Sequence, residues 1–422
     1  MPDGTTENRI VKKPELLIPA GSLEVVKTAV RYGADAVYVG GEAFGLRAKA
    51  KNLNSDELRE AILYCHERGR KLYVATNVIA HEPSMDAFRE YLKAVGEAGP
   101  DAVIIADPGA FSVAKEVLPK SVAIHISTQA NNVNAETFKF WYGLGAERVV
   151  CGRELSLAEI KEIRARIPEH AEIEAFVHGA MCISYSGRCL LSAFLTGREA
   201  NLGACTHPCR WKYAVVEETR PGQYMPVEED DGGTYIFNSK DLCMIEHIPE
   251  LLEAGIDSLK IEGRMKTALY VAIVARVYRE AIDTYLRDPK EYKANLPRYT
   301  AEIKKSANRG YTTGFYFGRP GEEGQSYDAN TETREAVYLG TIETVDADGT
   351  VSFLQKNKFS VGDTILVMKP DGRNIEAQVL SMRDEDGTPM ESCPHASRTV
   401  FMKLSVTPEI GDVMRMDTEV VK

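Results

Sequence analysis

The sequence predicts an α/β protein, a closed (β/α)8 TIM-like barrel with a cysteine-bearing insertion, followed by a small all-β domain. Over the first 290 residues, apolar runs alternate with amphipathic helical stretches, which predicts a parallel sheet. The pattern holds eight such units, and no G-x-G-x-x-G turn follows an early strand, which favours a closed barrel over an open doubly wound sheet. Short alternating runs separated by turn signals such as DADG and KPDG then predict the all-β domain.

Each predicted barrel strand is a short apolar run that ends in small or polar residues. After the first run, Ser22 is a suitable N-cap for the helical stretch SLEVVKTAVRYG. The eight runs are ELLIPAG (15–21), DAVYVGG (35–41), KLYVATNV (71–78), DAVIIADP (101–108), VAIHISTQAN (122–131), RVVCGRE (148–154), IEAFVHG (173–179) and SLKIEGR (258–264).

These patterns divide the chain into three parts. Residues 1–290 form the barrel, with an insertion at about 180–240, because about 80 residues separate the last two strands where roughly 30 would suffice. The end of this stretch, 238–255, is predicted to be the helix before the eighth strand. Residues 291–334, which hold Pro297 and the run NRGYTTGFYFG, are predicted to be a linker, and 335–422 a small β-barrel domain.

Composition excludes several classes of protein. With 51 basic and 62 acidic residues the net charge is −11, unlike a general nucleic-acid coat, so an RNA substrate would need a local basic surface. No apolar run reaches the roughly 18–20 residues of a membrane span. The polar start MPDGTTENRIVKKPELL lacks a signal core, so we expect a cytoplasmic protein without membrane contact.

Five of the eight cysteines lie close together in the sequence, namely Cys182, Cys189, Cys205, Cys209 and Cys243. Thiolates bind iron–sulfur clusters or zinc. Only the pair at 205 and 209 has the tight spacing typical of structural zinc, and the wider gaps favour a larger cluster. Zinc and ordinary buried or reactive thiols remain alternatives.

Polar residues at the predicted strand ends are candidates for function, because the carboxyl ends of barrel strands form the active face. They are Ser22, Asn77, Asp107, Gln129, Arg153, Glu154, His178, Glu262 and Arg264. From these we select His178, Glu262, Arg264 and Arg153 as catalytic candidates, since two arginines can bind the carboxylates of a small dianion. Structural hydrogen bonds at the rim are the alternative, and Glu174 with Lys260 are predicted to be charges inside the barrel.

Two stretches mix cations with aromatic rings as RNA-contacting loops do. One holds Arg210, Trp211 and Lys212, and the other holds Arg309 within NRGYTTGFYFG. The alternative for the first stretch is a strand edge that packs Trp211 on the barrel.

Several segments together resemble the collagenase-like peptidase family U32. They are EAFVHGAMCISYSGRCLLS, ELLIPAGS, GADAVYVGG, HISTQANN, KIEGRMK and NRGYTTGF, spanning roughly residues 14–320. The resemblance implies one of two activities, proteolysis or oxygen-independent hydroxylation with a [4Fe-4S] cluster. GACTHPCRWKY and FNSKDLCMIEHIPELLEAGIDSLKIEGRMK are most similar to the branch that forms 5-hydroxyuridine at the wobble position of transfer RNA.

That branch implies a set of ligands and partners. Cys182, Cys189, Cys205 and Cys243 would bind the cluster, with Cys209 as an alternative ligand. Prephenate would be a co-substrate and the anticodon arm of transfer RNA the substrate, with a paralogous family member as a further partner. A peptidase, or an iron–sulfur scaffold for a partner hydroxylase, remains the alternative.

The residues themselves support proteolysis weakly. The sequence contains neither an H-E-x-x-H motif nor a G-x-S-x-G motif, and the most suggestive nucleophile–base pair is Cys182 with His178.

Overall fold

The fold is taken from a computed structural model of the chain. The structure describes residues 12–41, 43–44, 52–181, 191–198, 205–206, 208, 214–216, 224–226, 239–320, 324, 333–394 and 396–421.

Eight parallel strands close into a barrel, which confirms the predicted fold class. The strands up to the end of the barrel are β1 (Glu15–Pro19), β2 (Ala36–Gly40), β3 (Lys71–Ala75), β4 (Ala102–Ile105), β5 (Ala123–Ile126), β6 (Arg148–Val150), β7 (Glu172–Gly179), β8 (Ala214–Val216), β9 (Tyr224–Pro226), β10 (Asp241–Cys243) and β11 (Ser258–Ile261). Strands β1 to β7 pair in sequence order, and β11 pairs in parallel with both β7 and β1 to complete the ring.

Alternation along each strand divides the barrel core into two layers. On β2, Val37 and Val39 face outward to the helices, whereas Ala36 and Tyr38 pack inside the barrel. The strands are therefore buried on both faces, which explains why the sequence shows them as nearly continuous apolar runs.

Seven α-helices lie in the described residues before β8, and several begin at a capping residue. Their bounds are α1 (Leu23–Arg31), α2 (Ser55–His66), α3 (Met85–Ala98), α4 (Pro108–Val117), α5 (Ala135–Gly143), α6 (Leu157–Arg166) and α7 (Leu191–Thr196). Ser22 caps α1 as predicted, accepting a hydrogen bond from the Val25 amide. Asn54 and Glu57 form a reciprocal capping box on α2.

The end of the insertion differs from the prediction of one helix over 238–255. It begins with β10, which pairs antiparallel with the end of β7, and continues through a 3-10 turn at Ile245–His247 into the short helix α8 (Ile248–Glu253). A three-residue strand is stabilised here by its partner strand, a tertiary contact that local sequence does not reveal.

The predicted linker 291–334 needs correction, because its first part is helical. After β11 come α9 (Ala268–Arg287) and α10 (Pro289–Lys304), the second with Pro297 inside it. Tyr292, Tyr299 and Ile303 lie at helical spacing and are buried, and this packing offsets the cost of the proline. A two-residue strand, β12 (Tyr311–Thr312), then pairs with β10.

The C-terminal region forms a small antiparallel barrel, which confirms the predicted all-β fold of this part of the chain. Its strands are β13 (Arg334–Val345), β14 (Val351–Leu354), β15 (Thr364–Met368), β16 (Asn374–Arg383), β17 (Pro389–Met390), β18 (Thr399–Leu404) and β19 (Val413–Val421). The order β15-β19-β13-β14-β18-β16 closes through a pairing of β15 with β16, and β17 adds to the edge of β16.

A buried ionic cluster joins the two domains. One Glu302 oxygen accepts hydrogen bonds from Arg276 and Arg415, each at 2.6 Å, and the second oxygen accepts from Arg415 at 3.1 Å. The Tyr32 hydroxyl donates a hydrogen bond to the Met368 carbonyl and accepts one from the Val413 amide. The C-terminal domain is thus fixed to α9, α10 and the end of α1.

Among the helices in the described ranges, none combines the length and apolar character needed to span a membrane.

Candidate functional site

Six polar residues gather where the barrel strands end, and we call this region the mouth. It consists of Asn77, Gln129, Arg153, His178, Glu262 and Arg264. Each follows or ends a different predicted strand, except Glu262 and Arg264, which both follow β11. The structure therefore brings all four catalytic candidates, His178, Glu262, Arg264 and Arg153, to one face of the barrel.

The charged side of the mouth is organised by an ion pair between Arg153 and Glu262. Their side chains approach to 2.8 Å and are only 14% and 16% exposed. Arg153 also donates to the Ala180 carbonyl and lies 4.1 Å above the Phe176 ring. Its buried Nε–H has no hydrogen-bond partner in the described part of the chain, so one guanidinium donor is unused.

Gly179 allows the ends of β7 and β11 to meet. Its φ is +102°, and a Cβ at this position would lie 2.4 Å from the carbonyl oxygen of Glu262. A residue with a side chain would therefore be strained and would displace Glu262. This glycine fixes the position of Glu262 beside His178, whose carbonyl accepts a hydrogen bond from the Glu262 amide.

Arg264 lies against the end of β2 and is 7% exposed. A Cβ at Gly40 would come within 2.7 Å of its guanidinium, so the glycine makes space for the charge. The two arginines of the mouth thus approach it from different strands, as recognition of a small dianion would require.

The opposite side of the mouth is neutral and made of amides. Asn77 donates to the Gln129 side-chain oxygen at 2.6 Å and also approaches the Ser127 hydroxyl at 3.4 Å. The Asn77 Oδ1 atom is buried and without a partner in the described residues.

Below the mouth, the barrel interior holds a network of buried charges. Lys260 donates to Glu174 at 2.6 Å, which confirms that these two residues are interior charges. Arg148 contacts Glu174, Glu172 and Glu15. Burial alone would lower the pKa of Arg148, but these carboxylates raise it well above the ordinary value. The charges of Arg148, Glu174 and Lys260 are buried and paired with one another, so we assign the network to the fold rather than to substrate binding.

His178 lies at the end of β7 in an aromatic pocket. Its Nδ1 is 3.4 Å from the Tyr278 hydroxyl, and the rings of Tyr270, Tyr278 and Tyr311 lie within 6.0 Å. Burial, with a smaller contribution from Lys266, lowers the pKa of His178 to about 3. The neutral imidazole is therefore a weak base, which does not favour a role in activating a nucleophile.

Cys243 lies beside this histidine because β10 pairs with β7. The register places Cys243 opposite His178, and the Cys243 sulfur is 4.0 Å from the Tyr278 hydroxyl. Burial raises the pKa of the free Cys243 thiol to about 12. A thiol of this kind is inert as a nucleophile but can lose its proton on binding a metal.

The predicted cluster ligands can be placed only in part. Cys182, Cys189 and Cys209 lie outside the described residues, and Cys205 is exposed. Within the described ranges, no three histidine, cysteine or acidic side chains converge as metal ligands. Met181 directly precedes Cys182, and Leu242 directly precedes Cys243. A methyl group of each residue would lie 3.3 Å from a Cβ placed on Gly314, so both side chains contact the same turn. Met181 and Leu242, the residues next to Cys182 and Cys243 in the sequence, therefore lie close together.

Of the residues predicted to contact RNA, the structure describes Arg309. Arg210, Trp211 and Lys212 lie outside the described residues. Arg309 is 11% exposed and pairs with the buried carboxylate of Asp241 at 3.2 Å. In this structure, Arg309 therefore links the turn before β12 to β10, and its charge is compensated within the fold.

A second concave surface lies away from the mouth, in a groove of about 900 Å³ between α1 and the C-terminal domain. Its four cations all form ion pairs, which are Lys27–Glu60, Arg31–Asp412, Arg68–Glu67 and Arg70–Asp35. Because these charges are compensated, we place the candidate site at the mouth.

Comparison with known protein families identifies both parts of the chain. Residues 21–326 match the family described as "Peptidase family U32". Residues 334–415 match its C-terminal domain, "Peptidase family U32 C-terminal domain". The chain belongs to peptidase family U32. The first match spans most of the (β/α)8 barrel, and the second spans most of the antiparallel barrel.

Relatives within the U32 family carry two kinds of name. "tRNA hydroxylation protein P1" of Bacillus subtilis is 40% identical, covering 96% of this chain and 95% of its own length. "tRNA hydroxylation protein P" of Escherichia coli is 38% identical, covering 96% of each chain. "Collagenase" of Porphyromonas gingivalis is 31% identical, covering 93% of this chain and 96% of its own.

Tyr278 contributes to this U32 site but was not identified from the sequence. Tyr278 donates to the Val177 carbonyl, accepts from the Met244 amide and contacts both His178 and Cys243. It lies in the middle of α9, where an inward-facing tyrosine looks like any other core residue. Only the packing of α9 against the ends of β7 and β10 gives it a place in the site.

Proposed function

We propose that this U32 protein takes part in the hydroxylation of the wobble uridine of transfer RNA, forming 5-hydroxyuridine. The observation that carries the proposal is the match over 95% or more of the length of two tRNA hydroxylation proteins, at 40% and 38% identity. The match includes the barrel, the cysteine-bearing insertion and the C-terminal domain, so it extends beyond the shared barrel fold.

The cysteines supply the donor set that such a reaction would need. We propose that Cys182, Cys189, Cys205 and Cys243 hold a [4Fe-4S] cluster, with Cys209 as the alternative ligand. The cluster would supply one-electron transfer. Cys243 is bound into the sheet beside His178, so this ligand would lie at the edge of the mouth.

The mouth would also bind the co-substrate, for which we propose prephenate. Its two carboxylates need cationic donors, and the unused Nε–H of Arg153 and the guanidinium of Arg264 lie on the charged side. Glu262 would hold Arg153 in place through the 2.8 Å ion pair.

The test is made in a strain that lacks the gene. Digested transfer RNA is analysed by mass spectrometry, and we expect 5-hydroxyuridine and its derivatives to fall. A paralogous U32 protein would leave part of the signal, so every close paralogue is deleted in a second strain. The wild-type gene and a supply of prephenate should restore the modification, whereas Cys182→Ala and Cys243→Ala should not. An unchanged profile in the strain without paralogues would exclude the proposal.

Proteolysis is a second candidate because of the match to the collagenase. Of the suggested pair Cys182 and His178, the structure describes only His178, and burial lowers its pKa to about 3, so it would be a weak base for a nucleophile. Gelatin cleavage that survives iron removal and stops on alkylation of the thiols would favour the peptidase.

A third candidate, an iron–sulfur scaffold for a partner hydroxylase, predicts that the purified protein binds iron but modifies transfer RNA only with a second protein present.

A further inference from the structure

The amide side of the mouth contains hydrogen-bonding groups that the fold leaves unused. Asn77 follows β3 and Gln129 lies in the 3-10 turn Thr128–Ala130 after β5. Their single mutual hydrogen bond joins Asn77 Nδ2 to Gln129 Oε1 at 2.6 Å. The buried Asn77 Oδ1 then has no donor among the described residues. Gln129 uses its side-chain oxygen in this bond, and its nitrogen takes no part in it.

One free donor and one free acceptor remain whichever way the amides are turned. If both amides are rotated by 180°, Gln129 Nε2 donates to Asn77 Oδ1, and the Asn77 nitrogen and Gln129 oxygen become free instead. The pair therefore keeps one unused donor and one unused acceptor in either orientation. Such a pair complements a planar cyclic amide, which has an N–H beside a carbonyl.

A second buried polar atom without a hydrogen-bond partner in the described residues, His125 Nδ1, lies deeper in the barrel. His125 precedes Ser127 by two residues and packs edge-on against Tyr73 inside the barrel, at 4.7 Å between ring centroids. It is 4% exposed, and its Nδ1 is also buried without a partner in the described residues. His125 is in register with Arg148 and so belongs to the level of the interior charges. At the mouth, the unpaired Asn77 Oδ1 indicates a site for water or ligand, because buried polar atoms are rarely left unpaired.

We propose that Asn77 and Gln129 hold the N3–H and O2 edge of the uracil base that is hydroxylated. This inference rests on the proposed function and adds the residues that recognise the base. A base that enters an enzyme pocket is commonly held by hydrogen bonds to this edge. The uracil N3–H donates to the free acceptor of the pair, and O2 accepts from the free donor.

The barrel order supports this orientation. Strand β4, between β3 and β5, lies four positions from β11 in the ring of eight and therefore faces it across the barrel. In uracil, C5 lies across the ring from C2. Holding N3–H and O2 on the amide side thus directs C5 toward β11, where Glu262 and Arg264 lie.

Two variants and a matched control test the role of the protein. Asn77→Leu and Gln129→Leu remove the polar groups, and each should lower 5-hydroxyuridine formation in the complemented deletion strain by about 5- to 100-fold. Thr76→Val is the control. It removes a buried hydrogen bond to the Ile104 carbonyl next to Asn77, and it should restore the modification almost fully. Melting temperature and iron content establish that all three proteins fold.

A change in the RNA tests the same contact with the unaltered protein. An anticodon stem-loop with 3-methyluridine at the wobble position lacks the N3–H donor. The anaerobically purified full-length protein should bind it at least about tenfold more weakly than the uridine form.

The outcomes separate this inference from the proposed function. If the deletion strain loses 5-hydroxyuridine but both leucine variants restore it as well as Thr76→Val does, the assignment of Asn77 and Gln129 is wrong while the function stands. Equal binding of the 3-methyluridine and uridine stem-loops would overturn it in the same way. If the strain that lacks this gene and its close paralogues keeps its 5-hydroxyuridine, the proposed function is wrong, and this inference fails with it.

Discussion

Replacing Gly179 with alanine should disturb the mouth more than the barrel, because the new Cβ would meet the backbone of Glu262. It would lie 2.4 Å from the Glu262 carbonyl oxygen. An ordinary carbon–oxygen contact is about 3.3 Å, so the strand ends must separate by about 0.9 Å. The positive φ of +102° adds about 1–2 kcal/mol and the overpacking about 1–3 kcal/mol, giving about 2–5 kcal/mol in total.

A matched glycine separates these two effects. Gly69 also has a positive φ, +63°, but a Cβ there would have no heavy atom within 4 Å. Gly69→Ala should therefore cost only the backbone strain, about 1–2 kcal/mol. Denaturant unfolding measures both variants, and recovery of 5-hydroxyuridine in the deletion strain measures function. If Gly179→Ala is no less stable than Gly69→Ala and restores the modification fully, the close approach does not constrain the site.

Three further predictions concern the cluster, the rival activity and the domain junction. Protein purified without oxygen should be brown with about four irons per chain, and Cys182→Ala or Cys189→Ala should abolish this, whereas colourless protein with stoichiometric zinc would contradict the cluster. If Cys209→Ser loses iron while Cys205→Ser keeps it, the third ligand is Cys209. Gelatin should remain uncut above background, and reproducible, thiol-dependent cleavage would show the opposite. Burial alone would raise the pKa of Glu302, but Arg415 and Arg276 hold it below the ordinary value, so its stabilising effect is present above about pH 4.5 and is lost as the pH falls through the lowered pKa. The melting temperature of Glu302→Gln should thus lie below that of the wild type at pH 7 and approach it as the pH falls below about 4.5, and a constant difference would refute this account.

The barrel was predictable because each of its strands is buried on both faces. Such a strand must be apolar along its whole length, and the polar or small residue that follows it marks the rim. The same logic predicts Arg153, His178 and Glu262 at one face of the barrel. The partners of these residues were not predictable, since the ion pair joins residues 109 positions apart in the sequence.

The errors arose where tertiary packing overrides a local signal. Pro297 suggested a linker, yet the buried face of α10 against α9 keeps the segment helical. The sequence predicts residues 241–243 as part of a helix, but they form strand β10 because they pair with the end of β7. The second error matters for function, because only the strand pairing brings Cys243 beside His178.

The two sides of the mouth differ in charge, and this difference constrains how two substrates could share it. On one side, β3 and β5 contribute neutral amides, which can recognise a base but give no favourable energy to a dianion. On the other, β6 and β11 contribute Arg153 and Arg264, whose cations attract carboxylates, and Glu262, which pairs with Arg153. Both strands are neighbours of β7, with which the Cys243-bearing strand β10 pairs. A neutral base and an anionic co-substrate would therefore occupy opposite walls, and the reacting C5 atom would point from the first wall toward the second.

Removing the binding group from one wall at a time should weaken the binding of one ligand and leave the binding of the other unchanged. Arg264→Gln should raise the prephenate concentration needed for modification without weakening the binding of the anticodon stem-loop, and Gln129→Leu should do the reverse. If both variants weaken binding of both ligands equally, the two ligands are not held by separate walls.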